Sequence, residues 1–179
     1  METEGKKDMR DWVSTVVVAL VLTLLLLPGV SHALTDEQNA LVGLQGVHVV
    51  VFVEKMNPQA EKHGLTKAQI QSDVELRLRK AGVKVLTMIE SIETPEMPLL
   101  YVVPSILIMP DLNLCFVSIE VGLLERVTLA SGVDKVPGRI WSKGYMGTVG
   151  TDKITQIRGV LGDKVDIFIN DYLAANPKK

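Results

Sequence analysis

Few side chains in this sequence combine a metal-binding or reactive residue type with a spacing at which they could act together. His48 and His63, together with Met56 and Cys115, supply the soft ligands that copper prefers. Their spacing matches no metal-ligand motif, and Cys115 has apolar neighbours on both sides. That setting is typical of a small buried hydrophobic side chain. We therefore predict neither a metal site nor a cofactor.

The sequence motifs give equally little evidence for nucleophilic catalysis. The chain contains no Gly-x-Ser-x-Gly elbow, and a Cys115–His48 pair requires two strands to place these residues side by side. A catalytic thiol also needs partial exposure and a positive neighbourhood. The glycine-rich stretch 144–150 lacks the lysine and hydroxyl pair of a phosphate-binding loop, so we expect it to let a strand twist or bulge.

The acidic residues that recur at intervals of three, Glu90, Glu93 and Glu96, fall in a segment with two prolines. A solvated loop is the expected structure there, and a weak cation site is the alternative. No acid, base and nucleophile set emerges, so the sequence favours a non-enzymatic protein. An enzyme of unrecognised type is the least favoured alternative.

The N-terminus contains an apolar run of 15 residues, 13–27, which is short for a membrane-spanning helix. Small residues at Ser31 and Ala33 frame a signal-peptidase-like cleavage site. We predict that residues 1–33 are a signal peptide, with Met9 as the true start, and that the protein is exported to the periplasm of a Gram-negative bacterium. The alternative is an uncleaved segment that tethers the domain to the membrane.

Charge and cysteine content narrow the classes of partner. The chain carries 19 basic and 21 acidic residues, and residues 1–33 hold three and four of them. The remainder is therefore almost neutral, without a basic stripe for nucleic acid. A single cysteine permits no internal disulfide, so packing must stabilise the domain.

The apolar patterns predict a flexible lead-in over 34–46, one α+β domain over 47–175 and a tail over 176–179. The predicted domain is a two-layer sandwich of about five mostly antiparallel strands with two helices on one face, in the order β-α-β-β-β-β-α. The predicted elements are strands 47–53, 83–88, 99–109, 114–130 and 139–148, and helices 67–81 and 151–175.

One predicted strand departs from the pattern of a half-buried sheet. Residues 99–109 are apolar on both faces, and Pro104 places this strand at an edge or at a bulge. Either the chain itself covers the second face, or a lipid, a peptide or another subunit does. We select as the candidate contact face the residues Tyr101, Val103, Phe116, Leu124, Trp141 and Tyr145.

Several strings in the chain are distinctive. They are 64–66 (GLT), 73–82 (DVELRLRKAG), 147–150 (GTVG) and 168–173 (FINDYL) with Asn176-Pro177. On these strings the chain resembles a family of exported bacterial α+β proteins of uncharacterised activity, from residue 46 to residue 177. The resemblance implies export to the periplasm and assigns no site. The layout is also similar to α+β modules of envelope assembly and transport, such as the N-terminal domains of periplasmic translocation proteins.

These observations favour a non-enzymatic protein-binding or assembly module of the cell envelope. The partner is an envelope protein or a lipid, the membrane is contacted only through the N-terminal segment, and homo-oligomers are compatible with the pattern. A partner strand added at the edge near Pro104 is one mode of binding. A small-ligand or lipid carrier with a pocket between sheet and helices is the alternative.

Overall fold

The computed structural model describes residues 33–53 and 57–177. Within these residues the chain is an α+β domain with five α-helices and four strands. The signal-peptide prediction and the Met9 start lie outside the described residues. The elements are α1 (Asp36–Asn39), β1 (His48–Val51), α2 (Pro58–Lys62), α3 (Lys67–Ala81), α4 (Met88–Glu93), β2 (Leu99–Met109), β3 (Leu114–Val127), β4 (Val136–Gly150) and α5 (Ile157–Ala175).

The sheet has the order β1-β2-β3-β4 and is mixed. β1 pairs in parallel with β2, whereas β2, β3 and β4 form an antiparallel meander. The predicted fifth strand, 83–88, is wrong as an extended element, because only Val85 forms a parallel bridge, with Val47. Thr87 then caps α4, which takes the chain out of the extended conformation. The predicted order β-α-β-β-β-β-α therefore loses its second strand, and the helix α4 follows at that point of the chain.

α3 and α5 pack against each other and against one face of the sheet. The buried side chains of that sheet face alternate along the strands, as the pleat requires. They join Ile70, Val74 and Leu78 of α3 and the apolar side of α5 in one hydrophobic core. We call this face the helix-covered face and the opposite one the outer face.

Helix α3 has the predicted bounds, and the residues at its two ends explain them. The Thr66 hydroxyl accepts the Gln69 backbone N–H, and Gly82 ends the helix in the left-handed conformation (φ 82°). The reciprocal half of a capping box is absent, because the Gln69 side chain donates to Asp73 instead. The flanking residues Leu65 and Ile70 are both buried, as a hydrophobic staple requires.

The lead-in is docked on the domain rather than flexible. Thr35 and Gln38 form a capping box at the start of α1. The Gln38 side chain donates to Asp171 of α5 (2.9 Å), and Leu41 is completely buried. The predicted tail also takes part, since the Asn176 amide donates to the Leu41 carbonyl. The lead-in therefore belongs to the folded domain.

Pro104 lies where β2 loses its partner. The Val102 carbonyl accepts the Phe52 N–H (2.9 Å), so the backbone of Val102 faces β1. Pro104, two residues further, faces the same side and has no N–H to continue the ladder. β1 ends at Val51, so β2 lies inside the sheet before Pro104 and lacks a described strand on that side after it. The prediction of an edge at Pro104 holds for this half of the strand.

Candidate functional site

The outer face divides into a polar half and an apolar half. Its residues alternate with those of the core and are aligned across the strands by the antiparallel register. Towards the start of β2 the face carries Tyr101, Glu120 and Arg139. Towards the end of β2 it carries Leu107, Phe116 and Met146. The two halves share the same strands, and only the side chains differ.

In the polar half, Tyr101 lies flat across its cross-strand partner Gly122. A β-carbon at position 122 would collide with the tyrosine ring, so this close approach requires glycine. The phenol donates to Glu120 (2.5 Å), which also accepts from Arg139 (2.8 Å). Burial, and then the hydrogen bond to Glu120, raise the pKa of Tyr101. Because the residue is only 8 % exposed, Tyr101 forms the floor of this face.

In the apolar half, three large side chains lie close together and open to solvent. Leu107 and Phe116 are direct cross-strand partners, and Met146 lies diagonally beside Phe116 on β4. Their exposed fractions are 61, 43 and 84 %. With Ser105 and Ser118 they line a shallow groove of about 320 Å³. We call Leu107, Phe116 and Met146 the outer patch.

Four of the six residues selected from the sequence lie on the outer face: Tyr101, Val103, Phe116 and Leu124. Val103 faces Glu120, and Leu124 lies between Leu99 and Arg139 at the irregular end of the β3–β4 pair. Only Phe116 of the four belongs to the outer patch. The other three are half-buried or buried and frame it on the polar side.

The selection of Trp141 and Tyr145 is corrected by the structure. Both share a face, as the alternation predicts, but it is the helix-covered face. Trp141 is buried, packs edge-on against Phe168 (ring centroids 5.1 Å apart) and donates to Asp171 (3.0 Å). Tyr145 lies beneath the Lys164 ammonium. The register of β4 relative to β3 decides the face, and β4 was not assigned a register from the sequence.

The residues considered for chemistry do not come together. Cys115 is buried on the helix-covered face, and burial raises the pKa of its thiol, whereas His48 lies on the outer face and contacts the Leu86 carbonyl. The sheet therefore separates the two. Met56 lies outside the described residues. No metal-binding group of three His, Cys, Asp or Glu side chains occurs in the residues that the structure describes.

Two other segments considered for chemistry form regular secondary structure. Residues 144–150 belong to β4, which extends the predicted strand 139–148 to Gly150. The carboxylate of Glu90 accepts the Thr87 N–H and caps α4, which lowers the pKa of Glu90. Residues 88–93 are thus helical, contrary to the predicted loop.

A larger groove, of about 490 Å³, lies between α3 and α5. Its guanidinium groups are engaged in ion pairs with the domain's own carboxylates. Arg158 binds Asp73 through two hydrogen bonds of 2.9 Å, and Arg77 contacts Asp166 at 2.6 Å. Arg77 also lies against Gly162, where a side chain would displace it. These pairs join the two helices, which gives the groove a structural role.

A smaller pocket, of about 330 Å³, holds two carboxylates between the lead-in and the loop that precedes β2. Burial of Glu125, and then the negative charge of Glu96, raise the pKa of Glu125 to about 7. Glu125 therefore changes its charge near neutral pH.

Comparisons with known proteins add no assignment. No protein-family model, curated protein or solved structure matches this chain. The resemblance to exported bacterial proteins thus stays a prediction from its sequence strings. In the part of the chain that the structure describes, no helix is long and apolar enough to cross a bilayer.

Sequence reasoning missed two of the three outer-patch residues as site candidates. Leu107 was visible in the two-sided apolar pattern of β2, which continues past Pro104. Met146 stands between glycines in β4 and gives no local signal of exposure. Only the pairing of Ser118 with Met146 places its side chain beside Phe116.

Proposed function

We propose that this protein is a non-enzymatic binding or assembly module whose outer patch contacts a partner protein. The observation that carries the proposal is the contiguous exposure of Leu107, Phe116 and Met146 on three neighbouring strands. Burying one large apolar side chain contributes roughly 1.5–3 kcal/mol. Exposure of three together on one sheet face is the pattern of an interaction site.

The surroundings of the outer patch favour a protein over a lipid. The groove is shallow and rimmed by the hydroxyl groups of Ser105 and Ser118, and the Glu120–Arg139 pair lies on the same face. Protein interfaces combine an apolar centre with a polar rim in this way. A lipid carrier needs a concave pocket that encloses most of its ligand. We therefore place the carrier function second.

The place of action is proposed from the sequence alone. The apolar run and the small residues before position 34 favour export to the periplasm, with a membrane tether as the alternative if the segment is retained. A module of the cell envelope with an exposed apolar sheet face agrees with the proposed role. The partner is then another envelope protein.

Photo-cross-linking tests the proposal. A photoreactive phenylalanine analogue is placed at position 116 of the full chain, in the cells that produce it. The matched control carries the analogue at Leu129, which is similarly exposed (46 %) but lies beyond β3 in the β3–β4 hairpin. We expect one discrete protein adduct from position 116 and none of that size from position 129. Equal, diffuse labelling from both positions would contradict the proposal, and a lipid adduct at 116 would favour the carrier function.

A further inference from the structure

The outer edge of β4 offers main-chain groups, whereas the outer patch offers side chains. β4 is the last strand of the sheet. Because the Val102 carbonyl accepts the Phe52 N–H, even-numbered residues of β2 face β1 and odd-numbered ones face β3. The register pairs these odd-numbered residues with even-numbered residues of β3, which therefore face β2. The odd-numbered residues of β3 therefore face β4, and their partners Lys143, Tyr145 and Gly147 face back.

The register leaves the main-chain N–H and C=O groups of alternate β4 residues directed away from the sheet. These residues are Ser142, Gly144, Met146 and Thr148. No described residue donates a backbone hydrogen bond to them from that side. Gly144, Met146 and Thr148 are exposed. This edge can accept another strand.

Protection of the edge is confined to one end of β4. Pro137 directs its missing N–H outward, Arg139 is charged and exposed, and the register shift between β3 and β4 falls beside it. All three are devices that block strand addition. Residues 142–148 carry none of them on the outward side, since Lys143 faces β3 and pairs with Glu37 of α1. A native edge protected at one end and left open at the other indicates selective pairing.

The open half of the edge is compatible with itself. With a two-fold axis through Met146, Gly144 faces Thr148 of a second copy and Met146 faces its own equivalent. About six main-chain hydrogen bonds form across the axis. Residues 142–148 contain no acidic side chain and a single lysine, which meets Val149 rather than another lysine. No like charges oppose each other.

Pairing about this axis also extends the outer patch. Met146 is the most exposed of the large apolar side chains in the described residues, at 84 %. Across the axis the two methionines come into contact, and the two outer patches join on one face of an eight-stranded sheet. Pairing at the edge therefore covers part of Met146 and leaves Leu107 and Phe116 of both copies open on the same face.

We propose that a second copy of this chain pairs with it through an antiparallel contact of the two β4 strands, centred on Met146. This inference stands on the main-chain register and does not require the proposed function. A homodimer is the result, with a continuous sheet and a doubled apolar surface. Another protein's strand at this edge is the competing occupant.

Disulfide cross-linking tests the pairing on the full chain. Met146→Cys is placed in a Cys115→Ala background and oxidised in intact cells, with Leu129→Cys as the control thiol at an exposed site. In a two-fold pair the residues at the axis have Cα atoms within disulfide reach. We expect at least tenfold more covalent dimer from Met146→Cys than from the control. Equal yields would overturn the proposal.

A backbone variant separates strand pairing from chance collision. Thr148→Pro removes an outward N–H without touching the ladder to β3, and Thr148→Ala retains that N–H. In the Met146→Cys background, we expect Thr148→Pro to abolish the dimer and Thr148→Ala to preserve it, with circular dichroism confirming the fold of both. Dimer that persists with Thr148→Pro contradicts a main-chain contact. Failure of the Phe116 cross-link would leave this result unaffected, so the two proposals fail separately.

Discussion

The contact between Tyr101 and Gly122 makes the architecture of the outer face measurable. In Gly122→Ala, the new methyl group occupies the space of the phenol ring, so the ring must leave its position. Two favourable terms are then lost. The hydrogen bond to the Glu120 carboxylate contributes about 1–2 kcal/mol, and re-exposing roughly 50 Å² of ring contributes about 1 kcal/mol more.

Alanine offsets part of this loss because glycine in a strand is about 0.5–1 kcal/mol less favourable. We therefore expect Gly122→Ala to lower the free energy of unfolding by about 2 kcal/mol. In a Tyr101→Ala background no ring opposes the methyl group, and the same substitution should be neutral or slightly stabilising. The coupling free energy of the double-mutant cycle is then about 2–3 kcal/mol.

Urea unfolding followed by circular dichroism gives the four free energies of this cycle. Tyr101→Phe serves as a control, because it keeps the ring and removes only the hydrogen bond. It should cost less than Gly122→Ala relative to the unsubstituted protein. Equal destabilisation by Gly122→Ala with and without Tyr101 would refute the assignment of the ring to the glycine surface.

Three further perturbations follow from the structure. The raised pKa of Glu125, about 7 against an ordinary 4.5, favours the protonated side chain in the folded state, so stability is lost as pH rises from 4.5 through 7. Allowing for partial solvent screening, Glu125→Gln should raise the free energy of unfolding by about 1–2 kcal/mol at pH 8 and leave it unchanged at pH 4. An effect in urea unfolding that does not depend on pH would contradict the raised pKa of Glu125 as its cause. Asp171→Ala leaves the Trp141 N–H buried without its acceptor and removes the partner of Gln38. We expect the free energy of unfolding to fall by about 2–3 kcal/mol and proteolysis within residues 34–46 to become faster. Unchanged proteolysis would show that other contacts hold the lead-in. Phe116→Asp should change the melting temperature by less than about 2 °C, as expected for an exposed site, and a large loss of stability would show that Phe116 serves packing rather than binding.

The sequence predicted the elements that carry their own boundary signals. α3 has a threonine cap, an apolar stripe and a terminal glycine, and its predicted bounds are confirmed. β2 is also confirmed from Leu99 to Met109, since a turn with Pro110 follows it. Both elements have their boundary signals in the residues that flank them directly in the sequence.

Two short helices were missed although their signals are present. Thr87 and Glu90 form the capping box of α4, and Asn57 with Pro58 begins α2 as an N-cap followed by a proline in the first turn. The predicted strand 83–88 included Thr87, and the segment around Glu90 was predicted as a loop. The same residue types end strands and begin helices, and only the tertiary contacts decide between the two roles.

The bounds of β3 and the faces of β4 depend on long-range pairing. β3 ends at Val127 rather than at 130, and Leu129, which lies inside the predicted strand 114–130, is exposed. A register shift after Leu123 ends the simple alternation. Part of the candidate site could therefore be predicted, because the alternation in β2 and β3 places Phe116 and its neighbours on one face. The faces of Met146, Trp141 and Tyr145 depend on the register of β4 against β3.

The most direct test of the outer patch is native mass spectrometry of the protein isolated gently from its own cells. Three forms are compared: the unsubstituted protein, Phe116→Asp and the matched surface variant Leu129→Asp. We expect a discrete protein partner bound to the unsubstituted form and to Leu129→Asp, and lost from Phe116→Asp. A partner that remains bound to Phe116→Asp, or an added mass of lipid size, would contradict a protein-binding role for this face.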